Sequence, residues 1–128
     1  MTDRPQDWDW VSAVDTCKAT VMFGELKAMA QRNVDTRNKQ LGRDQFRLIE
    51  INGIEFAVNK SAGSADAVFF RVSDDLQRVL MCRGRNDAPE ATYTVGLNDM
   101  GRCTFRRDPD EMSAWRVLKS ALEQLFFD

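Results

Sequence analysis

The chain of 128 residues contains no histidine. Histidine is the commonest general base, the usual activator of serine and cysteine nucleophiles, and the commonest metal ligand in proteins. The three cysteines, Cys17, Cys82 and Cys103, lie far apart without a CxxC pair, so they do not supply the clustered thiols of a zinc site. We therefore predict no metal, no cofactor and no catalytic residue, and we favour a function other than catalysis.

The sequence also has few cysteines and lacks long apolar runs. An odd, sparse cysteine count is typical of reduced and mostly buried thiols in a cytosolic protein. No stretch approaches the ~20 consecutive apolar residues of a membrane helix. The first residues, MTDRPQDWDW, are acidic and lack the apolar core of a secretory signal. These features predict a cytoplasmic protein that does not contact a membrane.

What the sequence does contain is the composition of an ordinary globular domain, with 43% apolar and 30% charged residues. Its length predicts a single α+β domain over residues 1–128. The net charge of −2 is unevenly distributed, because residues 1–15 and 108–128 each carry −3 and residues 16–107 carry +4. A basic middle between acidic ends is able to attract an anionic partner, but this asymmetry is modest.

Residues 8–41 have the pattern of a helical region. Asp7 or Asp9 is suited to cap its start, and Leu41-Gly42 is typical of a helix end. Gly24 lies between two apolar stripes and predicts a kink. A continuous helix of this length would extend about 51 Å, far beyond the core of such a domain. The region therefore either breaks into two helices or projects and pairs with another chain.

From Phe46 the apolar period changes from helical to two, which predicts an antiparallel sheet over residues 46–107. Asn52-Gly53 in FRLIEINGIEFAV is a strong hairpin signal. AVFFRV predicts a third strand, and ATYTVGL with RCTFRR predicts a second hairpin. Consecutive strands pair most readily in space, so the expected sheet is a meander.

Residues 73–85, SDDLQRVLMCRGR, allow two interpretations. Leu76, Val79 and Leu80 have helical spacing, whereas the unbroken apolar run from Val79 to Cys82 is typical of a buried strand. We favour a strand, which gives a sheet of five or six strands. With a helix over residues 74–83 instead, the element order would resemble the secretion-chaperone fold, whose small acidic dimeric members bind extended segments of exported proteins.

The last element is predicted to be an amphipathic helix over residues 109–127 that packs on the sheet. Asp108, Pro109 and Glu111 fit the N-cap, N1 and N3 positions of a capping box. One apolar stripe follows at spacings of three and four, formed by Met112, Trp115, Leu118, Leu122 and Leu125.

Two surfaces are candidate sites. The predicted outer face of the sheet carries arginines and threonines around one aromatic side chain, which suits a nucleic-acid or peptide platform. Its candidate residues are Phe69, Arg71, Arg102, Thr104 and Arg106. On the N-terminal helix, Val34 and Leu41 are the apolar anchors of an otherwise polar stretch, so they are the candidate oligomer contact.

Three functions are compatible with this pattern. The first is a non-catalytic protein-binding domain, with a homodimer as one form, acting as an adaptor, inhibitor or secretion-chaperone-like protein. The second is a small-ligand carrier or enzyme with a pocket between the sheet and the C-terminal helix. The third is a nucleic-acid-binding module using the arginine-lined face, and the sequence pI near 5.2 disfavours it. We favour the first.

Overall fold

A computed structural model describes residues 8–60, 66–84 and 87–127. Two helices come first, seven strands follow, and a third helix ends the described chain. The elements are α1 (Trp10–Thr16), α2 (Ala19–Leu41), β1 (Phe46–Asn52), β2 (Glu55–Lys60), β3 (Ala67–Val72), β4 (Arg78–Cys82), β5 (Ala91–Leu97), β6 (Cys103–Arg107), β7 (Asp110–Met112) and α3 (Ala114–Phe127).

All seven strands form one antiparallel sheet, in which each strand pairs with its neighbours in sequence. This confirms the α+β class and the antiparallel meander. The predicted count of five or six strands was too low, because β7 lies where the sequence predicted the first turn of a helix. The sheet therefore extends to Met112, beyond the predicted end at residue 107.

The predicted start of the C-terminal helix was wrong. Asp108-Pro109, joined by a cis peptide, forms the turn between β6 and β7, and the helix begins only at Ala114. Aspartate and proline serve turns as well as helix starts, so their presence did not discriminate between the two. Opposite charges then face each other across the hairpin, because Arg106 pairs with Glu111 in the β6–β7 register.

The N-terminal helical region breaks into two helices at Cys17 and Lys18. Asp9 caps α1, because its carboxylate accepts a hydrogen bond from the Ser12 amide at 3.1 Å. Gly42 ends α2 in the left-handed conformation at φ +72°. Both caps confirm the prediction, and Asp7, the alternative cap of α1, lies outside the described residues. The predicted kink site, Gly24, lies inside the uninterrupted α2 instead.

Residues 78–82 form a strand, as we favoured. The β3–β4 connection is a tight turn in which the Asp75 carboxylate accepts hydrogen bonds from the Ser73 hydroxyl and the Gln77 amide. Leu76 adopts a positive φ of 60° in this turn. Because no helix interrupts residues 74–83, the element order that resembled the secretion-chaperone fold is not the order of this chain.

The helices α2 and α3 pack on one face of the sheet and enclose the core with it. Phe56 is at the centre, with its ring 5.1 Å from that of Phe70 on β3 and 5.2 Å from that of Phe23 on α2. On β3 every second residue points inward, since Val68, Phe70 and Val72 are all buried. The core therefore combines a period of two from the strands with helical spacing from α2 and α3.

A disulfide joins Cys17, at the junction of α1 and α2, to Cys103, the first residue of β6. The prediction of three reduced thiols was therefore wrong for two of them, and only Cys82 is free and buried. The two bonded cysteines are separated by 86 residues, and the fold brings their Cα atoms to 5.4 Å. The prediction of a cytoplasmic location depended on reduced thiols, so the disulfide removes its support.

Among the described helices, none is long and apolar enough to cross a membrane. Within the same described residues, no group of three or more cysteine or acidic side chains is placed to hold a metal ion.

Candidate protein-binding surface

The predicted outer-face site is divided in the folded protein. Phe69 and Arg71 lie on β3, whereas Arg102, Thr104 and Arg106 lie on or beside β6. Two strands separate these groups in the sheet, a spacing of about 14 Å. The structure therefore places the five residues on one face but in two clusters.

The aromatic residue of that face is not freely available for stacking. Phe69 is half-buried and lies between Ala57 and Cys82 in the strand register, both of which are buried. Burial raises the pKa of the Cys82 thiol, so this cysteine is kept in its neutral form. These side chains form a small apolar strip on the outer face, in place of a stacking platform.

Two arginines of this face have acidic partners. Nε of Arg106 donates to the Asp108 carboxylate at 2.9 Å, and Arg78, which faces Thr94 in the register, contacts Asp75 at 3.4 Å. These exposed pairs contribute little stability, but they reduce the positive potential that a nucleic acid would need.

The two residues of the predicted oligomer contact, Val34 and Leu41, differ in exposure. Val34 is only 2% exposed and belongs to the core, so it is not available to a second chain. Leu41, at the end of α2, is 36% exposed. The sparse apolar spacing of this stretch suggested a projecting helix, but α2 instead lies on the sheet with Val34 inward.

Sequence reasoning missed an exposed apolar surface that lies between α2 and α3. Trp115 and Phe127 stand at opposite ends of α3 and are 58% and 63% exposed. The helical spacing predicts that Trp115 packs on the sheet with the rest of the apolar stripe, and this prediction is wrong for Trp115. One signal distinguishes Trp115 from the buried stripe. Trp115, Lys119, Glu123 and Phe127 follow each other at steps of four, and such a row turns gradually away from the buried residues.

A groove of about 360 Å³ runs between the two helices. Its floor is the buried side chains Leu118, Leu122 and Phe126. One wall is the exposed side of α3, and the other is the exposed side of α2. The lining residues of the walls are Trp115, Lys119, Glu123 and Phe127 on α3, with Asn33, Thr36, Arg37 and Gln40 on α2.

Arg37 fixes one end of this groove. Its Nε donates to the Phe126 carbonyl at 3.0 Å, and Nη1 donates to Oε1 of Gln40 at 3.2 Å. The guanidinium carbon lies 4.1 Å from the centre of the Phe127 ring, a cation–π distance. The Phe127 end of the groove is therefore held in place by contacts between the two helices.

A second cavity, of about 290 Å³, lies between the sheet and α3, where a ligand pocket was one of the predictions. It is lined by Lys60, Asp66, Ala67, Val68, Arg83, Gln124 and Leu125. Its arginine already has structural partners, because Arg83 pairs with Glu90 at 3.0 Å and Nη1 donates to the Ala121 carbonyl at 2.9 Å. This arginine therefore ties β4 to α3.

The helix α1 also carries exposed apolar side chains. Of its seven residues, all of which the structure describes, none is buried. Trp10, Val11 and Val14 are each more than half exposed. The disulfide through Cys17 attaches this helix to the sheet.

Comparisons with known proteins assign no relative to this chain: no family model, no curated protein sequence and no solved structure matches it.

Proposed function

We propose that this chain is a protein-binding domain without catalysis of its own, acting as an adaptor, inhibitor or chaperone-like protein, and that it binds through the groove between α2 and α3. The observation that supports this is the pair of exposed aromatic side chains, Trp115 and Phe127, at the two ends of an apolar-floored groove. Aromatic residues and arginine are enriched at protein interfaces. Tryptophan, phenylalanine and arginine all line this groove.

The polar rim of the groove supports the same proposal. Lys119 and Glu123 form an exposed ion pair at 3.2 Å above the buried floor. A polar rim around an apolar centre is the usual anatomy of a protein interface. The total absence of histidine from the sequence also favours binding over acid–base chemistry.

Site-specific photocrosslinking tests this function in cells. A photoreactive amino acid replaces Lys119, and in a control variant it replaces Thr92, which is exposed on the opposite face of the sheet. We expect a discrete adduct at position 119, identifiable by mass spectrometry and lost when Trp115→Ala is added. Equal labelling at both positions, or no adduct at position 119, would contradict the proposal.

A small-ligand carrier is the second candidate, favoured by the cavity between the sheet and α3. A carrier would gain melting temperature with a bound ligand. Screening a metabolite panel against the wild type and Lys60→Ala measures this, and a rise seen only in the wild type would support the carrier. No shift across the panel would remove it.

We also propose that the protein works where disulfides persist, since the Cys17–Cys103 bond is part of its fold. Alkylating denatured cell extracts, with and without prior reduction, measures whether this bond is formed, and denaturation is needed because Cys82 is buried. One reactive thiol per chain before reduction and three after would agree, and three before reduction would contradict this location.

A further inference from the structure

One ridge on the exposed side of α3 consists of residues spaced by four. The ridge consists of Trp115, Lys119, Glu123 and Phe127, all of which are exposed and line the groove. Side chains four apart on a helix lie one above the other, so these four form a continuous row. From Trp115 to Phe127 the row extends over twelve residue steps, or about 18 Å of helix.

The order of side chains along this ridge is self-complementary. It reads aromatic, cation, anion, aromatic, and its midpoint along the helix is at the level of Ala121, whose own side chain is buried in the core. Suppose that α3 packs antiparallel against α3 of a second copy, with a two-fold axis at that midpoint. A residue before the midpoint then faces the residue of the copy that lies the same number of positions after it. Trp115 then faces Phe127 of the copy, and Lys119 faces Glu123 of the copy.

We infer that the α3 ridge is the contact surface of a homodimer, in which α3 packs antiparallel on α3 of a second copy of this chain. This inference rests on the proposed function and names the partner of the same groove. A two-fold interface must present the same patch from both subunits, and the charge order of this ridge meets that condition. A parallel arrangement would instead place Lys119 against Lys119 and Glu123 against Glu123.

The two aromatic side chains of the ridge supply only part of the area that a stable dimer needs. Interdigitation of two such ridges gives a preferred crossing angle of about −50°. Given their exposed fractions, Trp115 and Phe127 together offer roughly 250 Å² per subunit. A stable interface needs roughly 800 Å² per subunit, so the α2 wall must supply much of the rest. That wall carries Asn33, Thr36 and Gln40 as a polar rim.

Charge reversal tests the inference with two variants, Lys119→Glu and Glu123→Lys, each analysed by sedimentation equilibrium of the purified chain. We expect the wild type to dimerise and each variant alone to dimerise at least tenfold more weakly, because each then places like charges together at two positions across the axis. An equimolar mixture of the two variants should recover the wild-type affinity, since both cross-axis pairs become opposite in charge.

The mixture is the decisive sample. Each variant also loses the ion pair within its own helix, and mixing cannot restore that pair, so recovery requires contact between two chains. Lys39→Glu, which changes the net charge equally at an exposed position outside the groove, is the matched control and should dimerise like the wild type. Circular dichroism verifies that all variants keep the fold.

Two results would overturn the dimer. One is a wild-type chain that stays monomeric up to about 100 μM, because a dimer with a Kd below about 100 μM would be populated at that concentration. The other is a dimer that neither charge reversal weakens, which would use a different surface. A monomeric chain that still crosslinks a different protein at position 119 would overturn the second copy as partner and leave the proposed function standing.

Discussion

The two helices at the ends of the described chain are attached to the same sheet by different means. α3 buries six residues, Val117, Leu118, Ala121, Leu122, Leu125 and Phe126, against the sheet and α2. α1 buries none of its seven and is joined to β6 through the Cys17–Cys103 bond. The difference shows that a helix can be positioned by packing or by a covalent link. Only a packed helix needs a wide apolar stripe, and of these two helices α3 is the one that has it.

The largest expected effect comes from breaking the covalent link. Reduction, or Cys17→Ser with Cys103→Ser, frees a loop of 86 residues in the unfolded chain. We expect it to lower the free energy of unfolding by about 3–5 kcal/mol, measured by urea denaturation. Hydrogen exchange should also show that the amides of α1 lose protection while those of α3 keep it. Cys82→Ser is the control for thiol chemistry, and equal loss of protection in both helices would contradict the comparison.

A cavity in the packed helix is next in size. Leu118 is buried, and Leu118→Ala should lower the free energy of unfolding by about 2–5 kcal/mol because it leaves a cavity in the core. Gln124→Ala, exposed on the same helix, should change it by less than about 0.5 kcal/mol. Urea denaturation of the two variants measures the difference, and similar values would show that α3 does not depend on packing.

A much smaller effect is expected from the largest side chain of α1. Trp10 is 61% exposed, so Trp10→Ala should change the free energy of unfolding by less than about 0.5 kcal/mol. The same denaturation experiment measures this. A loss comparable to that of Leu118→Ala would mean that α1 is held by packing as well as by its disulfide.

The most local effect is the pH response of the α1 cap. Hydrogen bonds from the Ser12 hydroxyl and amide hold the pKa of Asp9 below its ordinary value. Because the folded pKa is lowered, the cap stabilises α1 above the ordinary aspartate pKa and is lost as the pH falls through the lower, folded value. An NMR titration should show the Ser12 amide shifting over that acidic range. The shift should be absent in Asp9→Asn, and a transition above the ordinary pKa would refute the cap.

The sheet could largely be predicted from the sequence because its signals are local. Asn52-Gly53 and the alternation of Val68, Phe70 and Val72 depend only on neighbouring residues, and the structure has the expected strands there. The strand β7 could not be predicted, since three residues are too few to show an alternation. Asp108-Pro109 suits a turn as well as a helix start, so the boundary of α3 was misplaced.

The candidate surface depended on longer-range information. Val34 and Trp115 both belong to apolar patterns typical of a helix, yet Val34 is buried in the core and Trp115 is exposed. Which side of a helix faces the sheet is decided by how α2 and α3 pack together. The pairing of Cys17 with Cys103 is equally invisible, because only the folded sheet brings positions so far apart in sequence into contact.

The neighbour-to-neighbour order of the strands has a consequence for synthesis. A sheet in which every strand pairs with the preceding one can grow in the order in which the ribosome delivers it, without waiting for distant segments. The helix α2 emerges before any strand, and Cys17 is made long before its partner cysteine. The apolar face of α2 is therefore exposed until the strands that cover it are made, and this is where a chaperone would bind or aggregation would begin.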